Sequence, residues 1–205
     1  MMNNFSKRVF DLSVAIPFLV VLSPVFFITA LAVRITSPGP IFFTQERGGL
    51  NGNSFNAYKF RSMYINNEDP NSPREIDGGH PLVTPVGRVI RRLKIDELPQ
   101  LWNVIRGEMS IVGPRPTLMQ QIEKYSDKQR RRLEVLPGLT GWAQVNGNIK
   151  LSWDERISLD LWYIDNYSFL LDIKIIWMTF SVIFFGEHSN REALDAAGIR
   201  RRGRK

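Results

Sequence analysis

The sequence predicts a small mixed α/β domain with a broken apolar helix at its amino terminus. Three observations indicate this fold class. Residues 12–33 form an apolar run that Ser23 and Pro24 interrupt near its centre. Residues 41–47 and 54–63 have the pattern of two strands joined by a Gly- and Asn-rich link. Later segments repeat their apolar residues at a helical period, so the domain should also contain several helices.

The composition favours a globular protein with anionic partners. The 205 residues carry a net charge of +7, and 43% of them are hydrophobic. A basic chain suits phosphorylated substrates, nucleic acid or an acidic membrane surface. The absence of cysteine excludes disulfides, thiolate nucleophiles and zinc–thiolate sites. Since His80 and His188 are the only histidines, any metal should be a hard cation held by carboxylates and phosphates.

The apolar run admits three interpretations: a cleaved signal peptide, a simple span, or a helix that re-enters the membrane. About 20 helical residues suffice to cross the hydrocarbon core. The run is long for a signal peptide, and Ser23-Pro24 breaks it, since proline removes a helical hydrogen bond. Lys7 and Arg8 precede the run and Arg34 follows it, so the positive-inside rule places both ends in the cytoplasm. The pattern favours a re-entrant helix bent at Ser23 and Pro24.

Turn and capping signals divide the region that follows. The two strands should form a β-hairpin, and residues 66–81 should form a polar loop. Thr84 and Pro85 suit the N-cap and first position of a helix with the sequence GRVIRRLK. A second helix is predicted to begin with Asp96 as its N-cap and to stop at Gly107.

The last third of the chain should be mainly helical. Ser152 and Glu155 have the spacing of a capping box that opens one helix. Residues 169–185 are apolar and aromatic, but they contain Asp172 and Lys174. These charges favour a core helix or one lying in the membrane interface over a clean span.

Three regions follow from this pattern. They are residues 1–36 as the membrane helix, 37–186 as a domain at the cytoplasmic face, and 187–205 as a basic tail. Asp11, at the start of the first region, should lie at the depth of the lipid headgroups, where a charge costs less than at the bilayer centre. The tail favours contact with anionic lipid, although a solubilising role is also open. Its basic residues are Arg200, Arg201, Arg202, Arg204 and Lys205.

The segment 87–116 carries the most chemistry. Asp96 and Glu97 stand side by side in it among many cations. These cations are Arg88, Arg91, Arg92, Lys94, Arg106 and Arg115. A helix start attracts anions, so a phosphate could bind beside Asp96. One carboxylate could be a nucleophile or metal ligand while the other handles a proton. From this pattern alone, ordinary helix capping is the commoner explanation of the same pair.

Two further cations, and Arg115 of the same segment, could hold phosphate. Lys59 and Arg61 alternate along a strand and would share one of its faces, which could also be merely solvated. Arg115 lies between Pro114 and Pro116, and a stiff loop presenting one guanidinium suits bidentate phosphate recognition. A structural turn is the alternative.

The chain resembles the bacterial sugar transferase family, in particular its small monotopic phosphoglycosyl transferases. The resemblance covers roughly residues 6–180, and the order of its motifs makes it specific. The motifs are KRVFDL, LSPVFFITAL, SPGPIFFTQERGG, FNAYKFRSM, IDELPQLWNVIRGEMSIVGPRP, PGLTGWAQVNG and SWDERISLDLWYIDNYSFLLDIKII. It implies a helix that breaks at Ser23-Pro24 and re-enters the cytoplasmic leaflet of a bacterial inner membrane.

The resemblance also implies an activity. Such enzymes transfer a phosphosugar from a UDP-sugar to polyprenol phosphate, here undecaprenyl phosphate, and release UMP. The residue at Asp96 is expected to attack the sugar-linked phosphate and form a covalent intermediate, and Glu97 to assist the acceptor. Mg²⁺ is expected beside Asp96. The phosphates are expected to bind a basic set comprising Lys59, Arg61, Arg88, Arg92 and Arg115.

One departure from the family pattern concerns the donor. Many relatives continue WAQVNG with Arg-Asn, whereas this chain has Asn148, Ile149 and Lys150. An arginine often implicated in phosphate or nucleotide contact is therefore missing, and Lys150 could substitute for it.

Two other function classes fit the sequence. A metal-dependent hydrolase would use water instead of a lipid acceptor, and a basic membrane-binding module would have no turnover at all. No recognised nucleic-acid motif is present, so nucleic acid is not an expected partner. The sequence leaves open the sugar, the glycan pathway and the oligomeric state.

Overall fold

The computed structural model describes residues 4–65 and 80–199. The predicted polar loop over 66–81 falls almost wholly outside the described residues, as do the basic residues from Arg200 onward. The helices and strands, in chain order, are α1 Asn4–Val21, α2 Ser23–Thr36, β1 Phe42–Gly48, β2 Ser54–Phe60, α3 Pro85–Arg92, α4 Gln100–Arg106, β3 Ser110–Val112, α5 Met119–Ile122, α6 Asp127–Arg130, β4 Gly138–Thr140, α7 Trp142–Val145, α8 Trp153–Asp165, α9 Phe169–Phe185 and α10 Arg191–Ala196. This is a mixed α/β fold in which helices dominate, in agreement with the predicted class.

The amino-terminal apolar run forms two helices with a sharp bend between them. α1 ends at Val21 and α2 begins at Ser23, with Pro24 in its first turn, where a proline is tolerated. The two helix axes differ by 60°. In the described part of the chain no single helix has the length and hydropathy of a span, but this bent pair reaches both together. The predicted break at Ser23-Pro24 is confirmed.

Exposed apolar side chains are concentrated on α1, α2 and α9. They include Phe5, Val20, Val21, Phe27, Ile28, Leu31, Ile35, Phe169, Leu170, Trp177, Phe184 and Phe185. Phe10 of α1 packs edge-on against Phe169 of α9 with ring centroids 5.0 Å apart, so α9 borders the bent pair. Apolar surface of this extent is typical of a membrane or protein contact.

Two charged residues of α1 are buried inside the protein. Asp11 and Lys7 are buried. Lys7 Nζ lies 3.1 Å from Asp11 and 2.8 Å from Asp172 of α9. Asp11 also accepts hydrogen bonds from the Ser110 hydroxyl and from the backbone N–H of Ile111. Asp11 is therefore inside the protein and attaches α1 to β3, and its placement at the depth of the headgroups stays a prediction.

The predicted hairpin is confirmed. β1 and β2 are antiparallel, with Phe42 opposite Phe60 and Phe43 opposite Lys59. The predicted helix after the loop is α3, and the Thr84 hydroxyl accepts a 2.8 Å hydrogen bond from the Gly87 N–H as its N-cap.

α4 begins later than predicted. Residues Ile95–Glu97 form a separate 3-10 turn, and the helix starts only after Pro99. Proline has no N–H, so the chain forms i→i+3 bonds around it before the helical pattern is established. Asp96 is therefore inside a tight turn and is not the N-cap of α4. The helix stops at Gly107, as predicted.

A buried asparagine fixes α4 against the hairpin. The Asn103 amide nitrogen donates to the Asn56 carbonyl at 2.8 Å, and its oxygen accepts from the Tyr58 N–H at 3.1 Å. Asn103 is fully buried, and so are the neighbouring residues Leu101 and Val104. The turn that precedes α4 is thereby held next to β2.

The second half of the fold surrounds a short parallel pair, β3 and β4. Ser152 caps α8 with the predicted capping box to Glu155. α10 differs from the prediction of a tail from residue 187, because Ala193 and Leu194 are buried in the main core. The apolar residues of α10 explain its packing.

Candidate active site

Asp96 and Glu97 lie on the 3-10 turn between α3 and α4. Lys94, directly before this turn, has a left-handed backbone with φ of 57°. Non-glycine residues seldom adopt this conformation, and where they do the surroundings hold them in place. This reversal lets the chain leave α3 and present both carboxylates towards β2 and the loop after β3.

Glu97 is clamped by two cations from different elements. Lys59 Nζ of β2 lies 2.7 Å from Glu97 Oε1. Arg115 donates to both carboxylate oxygens, at 2.6 Å to Oε1 and 3.1 Å to Oε2. Such a bidentate pair is directional as well as charged. The structure therefore brings together three of the residues that the sequence singled out.

The clamp decides the protonation state of Glu97. Burial alone would raise the pKa of its carboxyl, but the charges and hydrogen bonds of Arg115 and Lys59 outweigh burial and hold the pKa well below its usual range. Burial lowers the pKa of Lys59, although the charge of Glu97 opposes it. Glu97 is therefore an ionised group that orients two cations, and it is a poor proton acceptor while both hold it.

Asp96 has a different environment. Its side chain is buried, and within the described residues no hydrogen bond or ion pair engages its carboxylate. Burial and then the charge of Glu97 raise its pKa to about 6, against the opposing charges of Lys59, Arg91 and Arg115. A buried, unengaged carboxylate among cations is suited to nucleophilic attack or to binding a metal.

Contacts of Gly113 and Arg132 fix the loop that carries Arg115. A Cβ on Gly113 would meet the Leu136 carbonyl at 2.4 Å, so only glycine lets the loop after β3 approach β4. Arg132 donates to the Arg115 carbonyl at 3.2 Å and pairs with Asp160 of α8 at 2.6 Å. Both residues of this ion pair are buried. They lock the loop that presents the Arg115 guanidinium.

The other predicted phosphate ligands lie elsewhere. Arg61 is buried and donates to the Ser37 carbonyl at 2.7 Å, so it attaches the end of α2 to β2. Because strand β2 ends at Phe60, Arg61 lies beyond the strand and does not share a strand face with Lys59 as predicted. Arg88 and Arg92 are exposed on α3, and neither is a ligand of Glu97. For these three residues a phosphate role stays a prediction.

Two residues beside the site were not singled out from the sequence. Arg47 of β1 donates to the Pro116 carbonyl at 3.3 Å, and burial followed by the charge of Arg115 lowers its pKa to about 10. Glu187 pairs with Lys94 at 3.0 Å. Its negative charge contributes to raising the pKa of Arg115. Strand register gave the only signal for Arg47, and no sequence signal pointed to Glu187.

The donor set fits a magnesium ion shared with a substrate. Among residues 4–65 and 80–199, no group of three or more acidic or histidine side chains is arranged to hold a metal. Mg²⁺ is commonly bound through one or two carboxylates together with substrate phosphates. Asp96 offers such a single carboxylate, and none of the residues that the structure describes engages its oxygens.

Glu97→Gln is expected to lower the free energy of unfolding by about 3 kcal/mol, because Lys59 and Arg115 would lose the charge that compensates them. Urea unfolding at pH 7 in detergent would measure the change. Glu134→Gln is the control, since its pair with Arg131 is largely exposed and contributes at most about 1 kcal/mol. Equal stability of the two variants would contradict a structural role for the clamp.

The chain as a whole is similar to a defined group of known proteins. A family model described as Bacterial sugar transferase matches residues 2–186. The chain is 46% identical over 181 residues to the "Uncharacterized sugar transferase EpsL" of Bacillus subtilis, covering 88% of each chain. It is 43% identical over 198 residues to the "Undecaprenyl-phosphate glucose phosphotransferase" of Komagataeibacter xylinus, covering 89% of this chain and 36% of that one.

A third relative has a similar relationship. The "UDP-glucose:undecaprenyl-phosphate glucose-1-phosphate transferase" of Escherichia coli is 40% identical over 185 residues, with 86% of this chain and 40% of that one covered. The chain thus spans less than half the length of the latter two relatives.

Proposed function

The chain belongs to the bacterial sugar transferase family and is a transferase, and we propose that it moves a sugar 1-phosphate from a UDP-sugar to undecaprenyl phosphate with release of UMP. The observation that carries this proposal is the buried, unengaged carboxylate of Asp96 beside the Glu97 clamp. The names of these relatives supply the substrate classes.

The first step uses Asp96 as the nucleophile. A carboxylate oxygen attacks the phosphorus that bears the sugar, and the bond from that phosphorus to the oxygen of UMP breaks. UMP leaves with the electron pair, and an aspartyl-phosphosugar remains on the enzyme. Lys59 and Arg115 lie beside Asp96, where they can offset the charge that gathers on the phosphate oxygens.

The second step restores Asp96. A phosphate oxygen of undecaprenyl phosphate attacks the same phosphorus, and the bond to the Asp96 oxygen breaks. The acceptor phosphate is already anionic, so it needs little proton removal. Glu97 was expected to assist the acceptor. Its two ion pairs and lowered pKa favour a role in orienting Lys59 and Arg115 over one as a general base.

A magnesium ion held by Asp96 and the donor diphosphate would supply charge neutralisation and polarise the phosphoryl oxygens. The chain's own contribution is to keep the Asp96 carboxylate free of other ligands. Burial in the turn and the engagement of Glu97 with the nearby cations both serve this end.

The bent α1–α2 pair supports attachment to a membrane. We infer that it re-enters the cytoplasmic leaflet of the bacterial inner membrane and that the exposed aromatic residues of α9 rest in the interface. An acceptor phosphate at headgroup level would then meet the site without leaving the bilayer. Contact of the basic tail with anionic lipid is part of this proposal.

Purified protein, Mg²⁺ and a panel of UDP-sugars, with and without undecaprenyl phosphate, would test the function. The expected result is sustained UMP release that needs the lipid, since without it release should stop near one equivalent of enzyme. Sustained release without lipid would instead indicate a hydrolase. No release with any donor would overturn the transferase proposal and favour a binding module.

A further inference from the structure

Glu187 occupies a place that no role assigned so far explains. It follows α9, immediately after the Gly186 that ends that helix, and its side chain is only 11% exposed. Its Oε1 atom accepts from Lys94 Nζ at 3.0 Å and from Asn148 Nδ2 at 2.8 Å. Lys150 donates to its main-chain carbonyl. Three side chains therefore hold Glu187 in one orientation.

The second carboxylate oxygen has no partner in the described part of the chain. Glu187 Oε2 is buried and accepts no hydrogen bond from any described residue. Burying a carboxylate oxygen without a hydrogen bond is costly, and an unsatisfied atom of this kind needs an explanation. Asp11 also leaves one buried carboxylate oxygen without a hydrogen bond, but it pairs with the buried Lys7, whereas Glu187 pairs with Lys94, whose side chain is 42% exposed. A ligand donor at Oε2 accounts for the remaining atom.

The position of Glu187 relative to the reacting groups indicates which ligand could bind at Oε2. Lys94, its ion-pair partner, lies two residues before Asp96. The Glu187 charge also reaches Arg115, which binds Glu97. A group bound at Oε2 is therefore a neighbour of the phosphates that the proposed function places between Asp96 and Arg115.

Two of the residues that hold Glu187 have strained backbone conformations. Lys94 and Asn148 both have left-handed backbones, with φ of 57° and 44°. Residues other than glycine adopt this backbone region at an energetic cost, and such strained residues cluster at functional sites. Both of these residues contact Glu187. Asn146, whose carbonyl accepts from the Asn190 N–H, also leaves its buried Oδ1 atom unbonded.

We propose that Glu187 is a donor-recognition residue whose Oε2 accepts a hydrogen bond from a hydroxyl of the nucleotide sugar. This rests on the proposed function, because it needs a UDP-sugar at Asp96. A carboxylate oxygen accepts only from a donor: the phosphates supply none, the uracil ring supplies one N–H, and the sugar and the ribose supply hydroxyls. Hydrogen bonds to charged groups are the stronger class, so a missing hydroxyl should be rejected clearly.

The test measures equilibrium binding of donors to the full chain in detergent, on an Asp96→Asn background where turnover is not required. Glu187→Met removes the acceptor at similar length, and Glu187→Gln keeps one oxygen for Lys94 and Asn148. Glu192→Gln, on the exposed surface of α10, is the matched control. The probes are UDP-sugars, their single-deoxy analogues in the hexose, the 2′-deoxyribose analogue and UDP alone.

Glu187→Met is expected to weaken binding of the parent donor by about tenfold or more. It should leave unchanged the affinity for the one analogue that lacks the contacted hydroxyl. Glu187→Gln should lie between Glu187→Met and the parent, which keeps the test decisive even if Glu187→Met fails to fold. A loss seen with UDP-sugars but not with UDP assigns the sugar, and a loss shared by UDP but absent with the 2′-deoxyribose analogue assigns the ribose.

Other outcomes overturn the assignment. Unchanged affinity in both Glu187 variants, or the same loss with every donor and analogue, would mean that Glu187 only supports the fold. Absence of donor binding both to the Asp96→Asn protein and to the unmutated chain would reject this inference and the proposed function together. Glu187-dependent donor binding combined with no transfer to lipid by the unmutated chain would reject the proposed function alone.

Discussion

Asp96→Asn is expected to lower lipid-dependent UMP release by at least about a thousandfold while the protein stays folded. The amide cannot attack phosphorus, so the aspartyl-phosphosugar cannot form. Burial raises the pKa of Asp96 to about 6, and at pH 7 the fold therefore holds a charge that it disfavours. Asparagine removes that charge, so the thermal midpoint without magnesium should be equal or higher. UMP release and thermal unfolding would be measured on the same preparation.

Asp127→Asn, an exposed change in the first turn of α6, is the control and should leave both quantities unchanged. Mass spectrometry of the unmutated protein incubated with donor alone should find the phosphosugar on Asp96. Near-normal turnover of Asp96→Asn would contradict nucleophilic catalysis by this residue. A large fall in its thermal midpoint would instead mean that Asp96 supports the fold.

Local features of the fold could be predicted because neighbouring residues determine them. The Thr84 cap, the Ser152 capping box, the Gly107 stop and the break before Ser23 each depend on a few consecutive side chains. The predicted start of α4 was wrong because two local signals compete there. Asp96 resembles an N-cap, but Pro99 withholds an N–H and delays the helix.

Contacts distant in sequence could not be predicted in the same way. Sequence patterns indicated Lys59, Glu97 and Arg115 as candidates. Only the fold shows that Glu97 pairs with Lys59, 38 positions away, and with Arg115, 18 positions away. Asp11 is the extreme case, since it accepts from Ser110, 99 positions away. A charge in an apolar run is typical of a membrane boundary as well as of a buried ion pair. The local pattern is the same in both cases.

The cluster of Lys7, Asp11 and Asp172 changes how the amino-terminal helix is understood. α1 was predicted as a membrane element distinct from the domain after residue 37. Asp11 instead binds the backbone of β3, and Lys7 links α1 to α9. The Tyr163 hydroxyl of α8 donates to Asp172 at 2.7 Å and extends the network. α1 is therefore part of the core that supports the site as well as part of the bent pair.

Lys7→Met is accordingly expected to lower the free energy of unfolding by about 3–5 kcal/mol, because it leaves two carboxylates buried without their cation. Urea unfolding in detergent would measure this loss. Lys128→Met, at an exposed position of α6, is the matched control and should change stability by less than about 0.5 kcal/mol.

A triple variant separates charge from packing. Adding Asp11→Asn and Asp172→Asn to Lys7→Met removes the unpaired charges, and neutral replacements of a buried ion cluster often recover stability. The triple variant should therefore be more stable than Lys7→Met alone. If Lys7→Met unfolds at the same urea concentration as the parent, the cluster does not join α1 to the domain. Because Asp11 binds β3, which leads into the Arg115 loop, Lys7→Met should also reduce UMP release at temperatures below its unfolding transition.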